Sequence, residues 1–382
     1  MKKFNFEISR KNFELLLKEY FDFKKVNINT ILNLQGYTEW KRKMNQLKKR
    51  MKTYLNLFKN KRTTETDKFF YSLEELPILG KEYWFIYLVD KNIDKKFQFV
   101  LTAGRAANPV KVNSTKLSVK NKDSLSEIKT ATVCWFYDNS KKVIFDELTS
   151  LKIIEDEKNK LLFTNKDSNI LIQGRYPHIS IQIFKDNKTI AEFNFSESKS
   201  NFKYDMVELL RNSMVKNFGA IWLNYYLNYK GYIFDTKTEG NAYLQKVVAI
   251  TPLAPWNWAR IYFDNDIIFD LFMIKPIGDN LDIKYQSAYV EFNNKRYELE
   301  NINLIGYGKR GEKNWLIYSK DFYIVLKTYS FMPFVLEDKT KFYYDEYLVE
   351  VVDAQIYDKK LKNIKFSNKG IGIVEDAYGY LL

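Results

Sequence analysis

From about Phe69 onward, apolar residues recur at every second position in short runs that end in Asn, Asp or Gly. KEYWFIYLVD (from Lys81), KKFQFVLTAG (from Lys95), TATVCWFYD (from Thr130), HISIQIF (from His178) and TIAEFNF (from Thr189) are such runs. Period-two alternation places one face of each strand on a core, and short strands at regular spacing predict a sandwich or barrel rather than a βαβ fold. Asp186-Asn187 separates two of these runs as a hairpin turn. Residues 105–127 are polar and predict a long loop over a barrel mouth. One helix is expected inside the β region. Asp205 can cap it, Glu208 completes a capping box, Met206, Leu209, Leu210 and Met214 form its stripe, and Gly219 closes it. The second half returns to strands, including IWLNYYLNYKGYIF, WNWARIYF and the final GIGIVEDAYGYL.

The first 67 residues follow a different period. Phe13, Leu16, Leu17, Tyr20 and Phe21 predict one helix, and Trp40, Met44, Leu47, Met51, Tyr54, Leu55 and Phe58 predict a second. Lys41, Arg42, Lys43, Lys48, Lys49, Arg50 and Lys52 make the second helix basic. Residues 1–62 carry 17 Lys/Arg against 5 Asp/Glu, and the rest of the chain carries 44 against 42. Nearly the whole excess charge of +14 therefore sits in the N-terminal segment, which concerns partners rather than fold. Residues 38–62 can lie on an anionic membrane surface, track nucleic-acid phosphates, or pack their stripe on the barrel with the lysines in water. No nucleic-acid-binding motif accompanies them.

A length of 382 residues favours two cores, and 46% hydrophobic against 28% charged residues fits a globular protein. The 29 Phe, 28 Tyr and 7 Trp suit pleated sheets and ligand cavities. Cys134 is the only cysteine and His178 the only histidine, so disulfides and ordinary zinc or iron sites lack ligands, and no cofactor is expected. The N-terminal residues lack a signal-peptide pattern, and no apolar run approaches the roughly 18 residues that span a bilayer. The expectation is a cytoplasmic protein, with the basic helix as a contact for the inner membrane face.

Several residues stand out chemically. Trp256, Trp258 and Arg260 alternate, so they share one face of a strand. Two indoles and a guanidinium on one face suit a site that holds a conjugated or cationic species by stacking and cation–π contact. Glu82 interrupts an apolar strand beside Trp84 and needs a buried partner, for which Arg260 is the candidate. Tyr225 and Tyr226 fall on opposite faces of one strand, and either can line a cavity. The alternative is that the two indoles plug a barrel end while Arg260 reaches to water.

Three segments together resemble the lipocalin-like superfamily of carotenoid 1,2-hydratase (hydroxyneurosporene synthase), AttH-like proteins and tocopherol cyclase. Glu82-Tyr83-Trp84-Phe85 is similar to the Glu-Trp-Trp-Tyr strand of that group. Gly240, Ala242 and Tyr243 match the stretch that opens its second barrel, and Trp256, Trp258 and Arg260 match its Trp-x-Trp-x-Arg strand. The resemblance implies a mainly β chain of two lipocalin-like antiparallel barrels, at 68–230 and 231–382, behind a basic helical extension at 1–67. It implies an isoprenoid- or lipid-like ligand held in a β-barrel pocket by Glu82, Trp84, Tyr225, Tyr243, Gln245, Trp256, Trp258 and Arg260. For the enzymes it implies protonation of a carbon–carbon double bond, followed by hydration or cyclisation. Gln245 stands where the family carries an acid, and an amide cannot protonate an alkene. Glu239 and Asp270 are the substitute acids. Binding of a hydrophobic molecule is thus the first expectation, a polyene hydratase or cyclase the second, and a basic adaptor for nucleic acid or protein the third.

Overall fold

The computed structural model describes residues 80–379, except 107–109, 114, 118–126, 139–140, 155–159, 165–166, 199, 201, 203, 210–218, 251–254, 276–284, 338–339 and 358–363. The expected helices of residues 1–67, and the membrane contact assigned to 38–62, lie outside the described residues. Among the described residues no helix is long and apolar enough to cross a membrane.

The described chain is almost entirely strand. β1 (Gly80–Asp90) and β2 (Gln98–Ala106) flank a single 3-10 turn at Ile93–Lys95. Then come β3 (Val110–Val112), β4 (Thr115–Leu117), β5 (Glu127–Asp138), β6 (Lys141–Ile154), β7 (Lys160–Thr164) and β8 (Ser168–Arg175). They are followed by β9 (His178–Lys185), β10 (Lys188–Glu197), β11 (Tyr204–Leu209), β12 (Gly219–Ile233) and β13 (Thr236–Ile250). The remaining strands are β14 (Trp256–Phe263), β15 (Ile268–Ile274), β16 (Gln286–Phe292), β17 (Lys295–Leu299), β18 (Asn303–Tyr307) and β19 (Asn314–Tyr318). Last come β20 (Phe322–Glu337), β21 (Lys341–Ile356) and β22 (Gly370–Gly379).

These strands form two curled antiparallel sheets, the lipocalin-like architecture expected. The first runs β10-β9-β8-β7-β6-β5-β2-β1-β13-β12-β11 and closes where β10 also pairs with β12. The second runs β17-β16-β15-β14-β22-β21-β20-β19-β18 and curls around its own core. The expected division after residue 230 falls within β12, and β13 lies between β1 and β12 in the first sheet. The change of sheet follows Ile250. Within residues 105–127, expected as a loop over a barrel mouth, β3 crosses over to pair with β20 of the second sheet.

Alternation explains both interiors. In β9, Ile179, Ile181 and Ile183 enter the first core, and the residues between them face outward. Asp186 and Asn187 both take positive φ, the twist that a two-residue hairpin needs. Strands at the junction are buried on both faces, hence their continuous apolar sequence. Trp84, Ile86 and Leu88 of β1 fill the first barrel, whereas Phe85, Tyr87 and Val89 face the second sheet. Likewise Ala259, Ile261 and Phe263 of β14 fill the second core, and Trp258 and Tyr262 face the first sheet. A third apolar layer thus lies between the sheets.

The helix expected from Asp205 is instead β11, paired along its length with β12. Met206 and Leu209 have helical spacing, but so short an apolar run suits either structure, and the free edge of β12 decided it. Asp205 caps nothing. Its carboxylate accepts from Asn224, from Tyr226 and, across the sheets, from Arg296 at 3.0 Å. Gly240 has a plain reason: a Cβ there would lie 2.1 Å from the Val89 carbonyl oxygen, where β13 crosses the end of β1.

Candidate functional site

The layer between the sheets is not filled solid. A cavity of about 160 Å³ opens there, with one wall from β1, β2, β5 and β13 and the other from β3, β14, β20, β21 and β22. Phe85, Val133, Val112, Trp256, Phe334 and Phe342 make most of it apolar. Polar groups are fewer: Lys81, Tyr83, Thr102, Arg105, Gln245, Tyr344 and Glu375. The cavity sits between the sheets rather than along a barrel axis, which corrects the expected barrel pocket. The axis of the first sheet is packed with Trp84, Phe97, Phe99, Phe163 and Phe193.

The chemistry of the wall lies in a chain of five side chains. Trp135 donates from Nε1 to Glu346 Oε2 at 2.6 Å, and Trp256 donates from Nε1 to Glu375 Oε2 at 2.9 Å. The Tyr344 hydroxyl stands between the two carboxyls, 2.9 Å from Glu346 Oε1 and 2.7 Å from Glu375 Oε1. A phenol carries one proton, so it can donate to only one of them. The other contact is a hydrogen bond only if that carboxyl is itself protonated and donates to the phenol oxygen. The geometry therefore suits a proton shared by this pair. Strand register explains the crowding, since Glu346 and Glu375 are direct cross-strand neighbours on β21 and β22. Both are buried, and the groups that hold them are two indoles and a shared phenol, all uncharged. Burial, reinforced by Glu375, pushes the Glu346 carboxyl up to about 8. Burial pushes Glu375 up to about 7, against the hydrogen bonds from Trp256 and Tyr344. The wall thus carries a carboxylic acid that keeps its proton near neutral pH.

The residues picked from sequence divide into three places. Trp256 and Gln245 line the cavity. Trp258, Tyr243 and Arg260 share the inter-sheet layer just beyond it: the Trp258 and Tyr243 rings stack at 5.2 Å, and Trp258 meets Phe85 edge-on at 5.4 Å. Gln245 donates to the Tyr243 hydroxyl at 2.9 Å and to Asn224 at 3.0 Å, so it orders this layer. Arg260 is buried rather than reaching to water. Its guanidinium lies 4.9 Å from the Tyr226 and Tyr243 ring centroids and 5.2 Å from that of Tyr262.

Arg260 does not pair with Glu82, as sequence suggested. It donates to Asp270 at 2.6 Å, because Asp270 stands opposite it on β15. An Asp270 carboxylate held this way balances the buried charge of Arg260, although burial raises its carboxyl above the usual range. Glu82 instead accepts from Arg105 at 2.8 and 3.0 Å and from Lys246 at 2.9 Å. Burial alone would raise the Glu82 carboxyl, but Lys246 and Arg105 hold it below its usual range. Glu82, Trp84 and Tyr225 belong to the first barrel, where Trp84 and Tyr225 stack at 6.3 Å and Lys246 lies 5.6 Å from the Trp84 ring. Glu239, the other substitute acid, is on the surface, paired with Lys91 and Lys230. Neither acid chosen from sequence reaches the cavity.

Sequence reasoning missed Glu346, Tyr344 and Glu375. A signal was present: Glu375 is in phase with Ile371, Ile373 and Ala377, and Glu346 with Phe342 and Leu348, so each puts a charge on a buried face. Among the described residues no group of three or more His, Cys, Asp or Glu side chains is placed to hold a metal.

Fold and site together define a two-sheet, lipocalin-like β-protein with an apolar cavity between its sheets. No family model matches the chain, and no curated protein does. Solved structures with similar folds include an AttH-like protein from Nitrosomonas europaea, with 11% identity over 79% of this chain and 92% of that one at TM-score 0.43. CghA, in its complex with Sch210972, has 6% identity over 78% of this chain and 87% of its own at TM-score 0.44. Kievitone hydratase from Nectria haematococca has 10% identity over 83% of this chain and 96% of its own at TM-score 0.36.

Proposed function

We propose that this protein binds an apolar, isoprenoid-like small molecule in the cavity between its two sheets. The observation that carries this reading is a cavity of about 160 Å³ walled by Phe85, Val133, Trp256, Phe334 and Phe342. Size limits the occupant, because a comparable apolar cavity of ~150 Å³ in another protein takes up benzene. One ring or one terminal isoprenoid unit fits inside, and a longer chain would extend through the opening. Trp256 stands in the wall against Phe342 and Tyr344 at 5.4 and 5.6 Å and offers a flat face for a conjugated ligand. The basic residues of 38–62 would hold the protein at an anionic membrane surface, where such ligands dissolve.

A second reading has its own observation, the proton held by the Glu346–Tyr344–Glu375 chain. Glu375 lines the cavity, so its O–H can protonate a ligand double bond. Water then adds to the cation and returns a proton to the carboxylate. Here Glu375 takes the role expected of Glu239 and Asp270.

Both readings are tested with geraniol. Titration is expected to change tryptophan emission saturably in the native protein. Ala131→Phe, which puts a ring into the wall opposite Gly104, should abolish that change. Unchanged binding by that variant refutes the cavity as the site. Product analysis separates the readings: a hydrated or cyclised product that disappears in Glu375→Gln establishes the acid, and geraniol bound but recovered intact refutes it.

A further inference from the structure

The cavity wall also contains a primary amine. Lys81 is on β1, on the same face as Tyr83 and Phe85, and its side chain lines the cavity while only 6% of the residue is exposed. Its burial puts an amine into a wall that is otherwise mostly apolar. Glu375 lies in the same wall with its proton-sharing partner Tyr344. An amine and a carboxylic acid that line one mostly apolar cavity are the two groups that imine formation requires.

We propose that Lys81 captures an apolar ligand bearing an aldehyde or ketone as an imine, with Glu375 as the acid that expels water. The proposal rests on the cavity being a ligand site, and it adds a substrate class to that reading. The Lys81 nitrogen adds its lone pair to the carbonyl carbon, forming the C–N bond while the carbonyl π pair moves to oxygen. Transfer of one proton from nitrogen to that oxygen gives a carbinolamine. Glu375 then protonates the hydroxyl, the C–O bond breaks and water leaves. The nitrogen lone pair closes the C=N bond, and the carboxylate recovers a proton from nitrogen. One carbonyl and one amine become one imine and one water, with no change of oxidation state.

Reactivity has a physical basis. Burial pushes the Lys81 ammonium down to about 7, so about half of it is the neutral nucleophile at neutral pH. An ordinary surface lysine, with a pKa of ~10.4, is neutral in only about one molecule in a few thousand. At pH 7 Lys81 is therefore expected to react ahead of a surface lysine of equal access, by less than the roughly thousandfold difference in neutral fraction because a less basic amine is also a weaker nucleophile.

The test uses the full chain, one equivalent of geranial at pH 7, borohydride reduction, intact mass and peptide mapping. Geraniol, which lacks the carbonyl, is titrated in parallel. A single adduct mapped to Lys81, suppressed by excess geraniol and absent in Lys81→Met, supports the proposal. Geraniol binding without an adduct, or adducts spread over many lysines, overturns imine capture and leaves the binding site standing. Absence of both adduct and geraniol binding overturns the two together. If Lys81→Met does not fold, the peptide map of the native protein decides alone.

Discussion

Replacing Glu346 by Gln removes one ionisable group from the carboxyl–phenol–carboxyl chain while nearly keeping its shape. The amide oxygen can still accept from Trp135, and the amide nitrogen can donate to the Tyr344 hydroxyl, which then donates to Glu375. Burial raises the folded-state Glu346 carboxyl from an ordinary 4.5 to about 8. Between these limits the folded chain keeps a proton that the unfolded chain releases. Folding therefore binds protons, and the stability that this group provides at low pH is lost as pH rises through the window. At about 1.4 kcal/mol per pH unit the loss approaches ~5 kcal/mol by pH 8, an upper bound because the two carboxyls share their repulsion. Gln cannot ionise, so the variant escapes its share of the loss, and Glu375 no longer faces a second carboxylate. Urea unfolding followed by tryptophan emission at pH 5 to 9 checks this. The two proteins should agree to within about 1 kcal/mol near pH 5, and the variant should lead by ~3 to 5 kcal/mol at pH 8.5. Parallel pH curves, or a wild type that gains stability with pH relative to the variant, would show that the pair shares no proton.

Two further substitutions probe the framework around the cavity. Glu82→Gln removes the buried carboxylate that Arg105 and Lys246 share, so urea denaturation at pH 7 should show a loss of about 3 to 5 kcal/mol. A change under ~1 kcal/mol would mean that water reaches this triad. Gly240→Ala forces a methyl against the Val89 carbonyl oxygen and should part the end of β1 from β13, and a thermal midpoint unchanged from wild type would refute that contact.

Much of the framework was legible from residues alone. Period-two alternation is a property of the extended backbone, so Trp256, Trp258 and Arg260 had to share a face wherever the strand was placed, and they do. The Asp186-Asn187 hairpin was equally local. The helix expected from Asp205 failed because six residues of mixed pattern fit two structures, and only an available strand edge chose between them. The acids were misplaced for a related reason. Glu239 is next to a recognisable motif but points to solvent. Glu375, in the final strand and not picked as an acid, points inward and meets Tyr344 and Trp256 across 31 and 119 residues of chain.

By itself the sequence determined that this is a β-protein with aromatic strand faces and a charge excess confined to its first 62 residues. Those features depend on neighbours along the chain. Which face became the inside of a barrel and which became the seam was decided by tertiary structure. So was the choice of Arg105 rather than Arg260 for Glu82, and the meeting of Glu346 with Glu375 over one phenol. The physical reason is that strand pairing sets lateral contacts at about 5 Å regardless of sequence separation, so partners are chosen by register and curl, not by spacing in the chain.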